Sequence, residues 1–187
     1  MRRRHRDEID RERRSIAESG KPRCGLLRIL LTKISDERHA LEVVRAGGDR
    51  ERVEFVSREF LFHDLLHYAV ESELGTQGGF WGALASGRSL SDLNDPTGAA
   101  MQGLSGPIAG IEVIVGMMTG AVKSTAPTEE VIASLRGYLE ALSEASPVWC
   151  TAAFVDGVRE RMRQILGRWK AVPYRGTMEI EWPQDGC

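Results

Sequence analysis

Four ionisable side chains crowd a short stretch of this chain, Phe60 to Gly75, which reads F-L-F-H-D-L-L-H-Y-A-V-E-S-E-L-G. On a helical wheel of 100° per residue, with His63 at zero, His67 falls near 40°, Glu71 near 80° and Asp64 near 100°, so all four share an arc of about 100°. Most of the remaining circumference is apolar: Leu61, Phe62, Leu65, Leu66, Tyr68, Ala69 and Val70. A surface helix shows the reverse, one apolar stripe on a broad polar back. Histidines four residues apart project neighbouring imidazoles, the spacing that helical zinc sites use. Glu71, one turn further on, is either a third ligand or an acceptor that orients His67. Asp64 stands where metalloproteases with an H-E-x-x-H motif place their general base, one methylene shorter, and is either that base or an acceptor that orients a ligand. The chemistry expected is a divalent-metal site of the zinc or iron type, with bound water as nucleophile and hydrolysis as the default reaction on an unidentified small-molecule substrate.

Such a site needs a carboxylate from elsewhere in the fold. Gly106 to Val122 is almost wholly apolar, with Glu112 and Thr119 as its polar side chains after Pro107. The run is too short to span a membrane comfortably and carries a mid-span Glu, so it reads as a buried central helix. A buried Glu must be paired, protonated or metal-bound. Glu112 is therefore the candidate carboxylate to join His63 and His67, the alternative being a pair with an Arg. A shared site requires it within about 8 Å of both imidazoles, since metal–ligand bonds are near 2 Å.

The elements around these helices follow from periodicity. Cys24–Ile34, His39–Arg45 and Arg52–Val56 read as strands, with a hairpin turn at Ala46-Gly47-Gly48-Asp49. His39 is placed on a strand surface. Gly75 stops the histidine helix. Gly78-Gly79-Phe80-Trp81-Gly82 makes a tight corner, and a polar loop follows from Ser86 to Met101. Thr128–Ser143 is an amphipathic helix capped by Thr128, and Ser146-Pro147 starts a last helix with Val148 in its core face. Gly176–Trp182 alternates as a strand joining the N-terminal meander. The architecture expected is α+β: a small antiparallel sheet from residues 24–56 plus the C-terminal strand, packed on a bundle of about four helices.

The string His63 to Glu71 followed by Gly79 to Gly82, H-D-L-L-H-Y-A-V-E with G-F-W-G, resembles a pattern of uncharacterised bacterial proteins, a resemblance that implies no activity. The H-D-x-x-H core is also similar to the zinc-binding motif of a ubiquinone-biosynthesis family, which implies metal contacts at His63 and His67 beside Asp64. That family places a Glu after eleven further residues, where this chain has Gly79.

The chain of 187 residues suits one domain with a real core. Residues 1–23 carry about +4 and the rest about −6, so a charged, disordered arm is expected ahead of a globular domain at 24–187. The overall charge of −2 argues against specific nucleic-acid binding. Three cysteines without C-x-x-C spacing, and no apolar signal region, predict a cytoplasmic protein. Two other readings stay open. One is a non-enzymatic interaction protein whose His/Asp/Glu strip is a structural cluster. The other is a lipid- or quinone-like ligand bound along the Gly-rich helix.

Overall fold

The computed structural model describes residues 26–57, 60–93, 107–141 and 148–183. The charged N-terminal arm and the second half of the expected polar loop, residues 94–101, lie outside these residues, and the first half holds a short helix at Leu90–Leu93.

Strands β1 (Leu26–Lys33), β2 (Arg38–Val44), β3 (Arg50–Val56) and β4 (Thr177–Pro183) form one antiparallel sheet in the order β3-β2-β1-β4. The alternation of side chains makes it two-faced. Leu27, Ile29 and Leu31 of β1 turn inward with Leu41 and Val43 of β2 and Met178, Ile180 and Trp182 of β4, all buried. The outer face is laced with ion pairs, among them Arg28–Glu179, Arg38–Glu54 and Arg50–Glu42. Such exposed pairs contribute little stability each and mark a solvated face. Gly48, at φ 91°, supplies the left-handed conformation that closes the β2–β3 hairpin.

Helices α1 (Leu61–Leu74), α2 (Phe80–Ala85), α3 (Leu90–Leu93), α4 (Pro107–Lys123), α5 (Thr128–Ala141) and α6 (Ala152–Ala171) cover the inner face. The expected α+β architecture is what the chain adopts, with α1, α4, α5 and α6 as the longer helices. Helix α1 ends in a Schellman motif: Gly75 takes φ 60°, Thr76 N–H donates to Glu71 O and Gly75 N–H to Ser72 O.

Four local expectations are corrected. The central helix is α1, which packs against both α4 and α6 and buries eight of its fourteen residues. Helix α4 instead turns Ala109, Gly110, Gly116 and Gly120 outward. His39 is not on a surface but fully buried, because it shares the inward parity of Leu41 and Val43. Its ring packs beside Phe55 and edge-on to Trp169, and its Nδ1 lies 3.1 Å from Ser57 Oγ. Burial pushes its pKa down against the opposing charge of Asp64. Thr128 does not cap α5: Pro127 O accepts from Glu130 and Val131, and the threonine hydroxyl donates to Asp156 Oδ1 at 2.7 Å. The last helix starts later than expected, where Thr151 Oγ1 accepts from Phe154 N–H, which leaves Val148 97% exposed.

One cation fastens the helical layer. The Arg159 guanidinium on α6 donates to Ala121 O, Ala126 O and Thr128 Oγ1, tying the end of α4 to the start of α5. Arg159→Ala leaves those acceptors unserved, and a loss of about 2 kcal/mol in urea unfolding is expected. A change below about 0.5 kcal/mol would show that water replaces the guanidinium without cost.

Candidate metal centre

The four-residue spacing on α1 sets the imidazoles of His63 and His67 side by side, with ring centroids 4.6 Å apart. Helix α4 crosses α1 at this point because its apolar side, Ile111, Ile114, Val115 and Met118, joins the core that also holds Leu65, Leu66 and Val70. That crossing delivers Glu112. Its Oε1 lies 3.2 Å from His67 Nε2 and its Oε2 3.6 Å from His63 Nε2. One donor atom from each of the three residues falls within 4.8 Å of the others, a grouping able to hold a metal ion. Tetrahedral zinc with bonds near 2.05 Å separates its ligand atoms by about 3.3 Å, close to the two distances from Glu112 to the imidazoles. Glu112 thus meets the proximity requirement by a wide margin, although it is not buried as expected: 42% of its side chain is exposed.

His67 is the fixed member. Its side chain is 2% exposed and its Nδ1 lies 3.0 Å from Glu71 Oε1. A carboxylate accepts, so Nδ1 carries a proton, and Nε2 on the other side of the ring faces Glu112. Nε2 is buried and has no hydrogen-bond partner, because its alignment with Glu112 Oε1 is too poor despite the short distance. A buried polar atom left unpaired is costly and rare in native folds.

Glu71 is fully buried and its oxygens are already engaged. Oε1 accepts from Phe80 N–H at 2.9 Å as well as from His67, and Oε2 accepts from Trp81 N–H at 3.0 Å. The structure therefore leaves Glu71 outside the ligand-bearing group and behind His67. Asp64 occupies the matching place behind His63, its Oδ1 3.9 Å from His63 Nδ1, with only 12% of its side chain exposed. Both lie on the Nδ1 side of a histidine whose Nε2 faces Glu112. This division of five residues into two layers was not readable from spacing, because the wheel places Glu71 and Asp64 on the same arc as the histidines.

The electrostatics follow from the cluster. The carboxylates of Asp64 and Glu112 push the pKa of His63 up to about 9. Burial opposes charge on His67, but Glu112 and Glu71 outweigh it and raise its pKa. Burial likewise favours neutral Glu112, yet the two imidazoles hold it down to about 2. With 47% of the His63 side chain exposed, the group opens at the surface. Two cavities, of about 220 and 380 Å³, lie elsewhere, on either side of the α4–α5 connection.

No known protein-family model, curated protein or solved structure matches this chain. The functional reading therefore stands on the geometry of the site.

Proposed function

We propose that this protein binds one divalent cation of the zinc or iron type through His63 Nε2, His67 Nε2 and Glu112, and that the centre is hydrolytic. The observation that carries this reading is the convergence of His63, His67 and Glu112, one donor atom from each within 4.8 Å of the others, with the buried His67 Nε2 3.2 Å from Glu112 Oε1. Three protein ligands leave an open coordination position, the arrangement of catalytic rather than structural zinc. A cation held there supplies Lewis acidity and an activated water. His63 and Glu112, about half exposed, leave that position reachable from solvent. In this reading Asp64 orients His63 instead of serving as the base, since it sits on the far side of the ring from Nε2.

The same geometry favours a second reading. Without a cation, protonated His63 bridges Asp64 and Glu112 and acts as a structural pin between α1 and α4. Metal analysis of the purified, untagged protein by mass spectrometry separates the two. Near-stoichiometric zinc or iron supports the metal centre. Metal-free protein whose melting temperature is unmoved by added zinc or iron sinks it.

The proton linkage gives a further expectation. His63 is raised to about 9 in the folded protein, so its stabilising contribution is complete below its ordinary value of 6.5 and is lost as pH rises through 9. Glu112 is depressed to about 2, so its contribution is present above 4.5 and lost as pH falls toward 2. The pin between α1 and α4 is therefore fully formed from about pH 4.5 to 6.5 and weakens above that window. Metal competes with the same protons, so zinc affinity should rise steadily from pH 6.5 to 9 as metal-free stability falls. Isothermal titration in buffers of different ionisation enthalpy should register proton release on binding. Affinity flat across this range would contradict the assigned imidazole ligands.

A further inference from the structure

The Glu71 carboxylate joins the His67 imidazole to the start of α2. One oxygen holds the Nδ1 proton of His67, and the pair together receives the first two N–H groups of α2, at Phe80 and Trp81. Helix α2 is only six residues long and has no side-chain cap of its own, so Glu71 satisfies donors that would otherwise be orphaned. A second tie runs from Trp81 Nε1 to Asp64 O at 3.2 Å. The Phe80 ring also lies 5.8 Å from the His67 ring. The corner is built around this carboxylate: a Cβ on Gly79 would stand 2.2 Å from Glu71 Cδ and 2.4 Å from Oε2. Gly79 itself has φ −100°, ψ −163°, a conformation open to any residue. Its bare Cα is therefore needed for room and not for backbone freedom.

We propose that Glu71 is the positioning residue of the metal centre and that, through it, metal affinity and the docking of α2 are a single coupled equilibrium, with Gly79 as a determinant of affinity that touches no ligand. The inference rests on the metal reading above. A cation on Nε2 draws electron density from the imidazole and makes Nδ1–H a stronger donor to Glu71. A carboxylate held by that bond is also held over the N–H groups of Phe80 and Trp81. Reciprocity then requires that docked α2 favours the metal as much as the metal favours docked α2.

Zinc is the probe. Its affinity is measured by competition with a chromophoric chelator in wild type, Glu71→Gln and Gly79→Ala, and hydrogen exchange at the Phe80 and Trp81 amides is followed in wild type with and without saturating zinc. Loss of an orienting partner costs a metal site about 10–100-fold in affinity, and both variants should fall in that range. In wild type the two amides should gain protection when zinc binds. Cobalt-substituted Glu71→Gln should also show an altered visible spectrum, which a purely structural role would not produce. Zinc binding by wild type with both variants within about twofold of it, or with both amides unchanged, overturns the coupling and leaves the metal centre standing. Failure of wild type to bind zinc or cobalt removes the metal reading and this inference with it. Should either variant fail to fold, the exchange of wild type alone decides.

Discussion

Wild type should purify with close to one equivalent of zinc or iron and His67→Ala without it, and the zinc affinity of the variant should fall by more than the roughly hundredfold that loss of an orienting partner produces. His67 is the buried donor, held at Nδ1 by Glu71, whereas His63 is 47% exposed and has Asp64 at a looser 3.9 Å. Removing a pre-aimed ligand costs both a bond and the geometry that the other two ligands share. His63→Ala should therefore weaken zinc binding less than His67→Ala. The opposite order, measured with the same chelator, would mean that His63 and Glu112 form the primary site and His67 is a structural histidine.

The second large effect concerns the wall behind the site. Trp81 is 1% exposed, packs edge-on against Phe80 and Tyr68, and donates through Nε1 to Asp64 O. Trp81→Ala removes a large buried aromatic side chain and leaves a cavity between α2 and α1. A loss of about 3–5 kcal/mol in chemical unfolding is expected, as for other buried aromatic deletions. A loss below about 1 kcal/mol would show that the corner collapses to fill the space or was never tightly packed. Trp81→Phe keeps most of the ring but removes the N–H. Its smaller loss would isolate the hydrogen bond to Asp64, about 1 kcal/mol for a typical neutral pair.

Much of this molecule follows from local rules. The three N-terminal strands and the C-terminal strand alternate closely enough with a period of two that pairing them gathers their apolar side chains on one face. The histidine helix and its glycine stop follow from the 3.6-residue period and from the left-handed conformation that Gly75 supplies. The His63/His67 pair is equally local, because i and i+4 always meet on a helix. Glu112 was reachable by a different argument, that an ionisable group in an apolar run needs a partner.

What spacing could not determine was the division of labour. On the wheel, Asp64 and Glu71 are as good a pair of ligands as Glu112, and all three are carboxylates. Only the arrival of α2 over Glu71 occupies its oxygens, and only the crossing of α4 over α1 brings Glu112 to the Nε2 atoms. The same holds for His39, whose burial depends on which face of β2 meets the helices, and for α1 taking the central place that hydrophobicity alone assigns to α4. Periodicity specifies which side chains share a face. It contains no information about which face another element will cover, because that is decided by packing between segments far apart in the chain, and here that packing separates the residues that can hold a cation from those that can only hold its ligands in place.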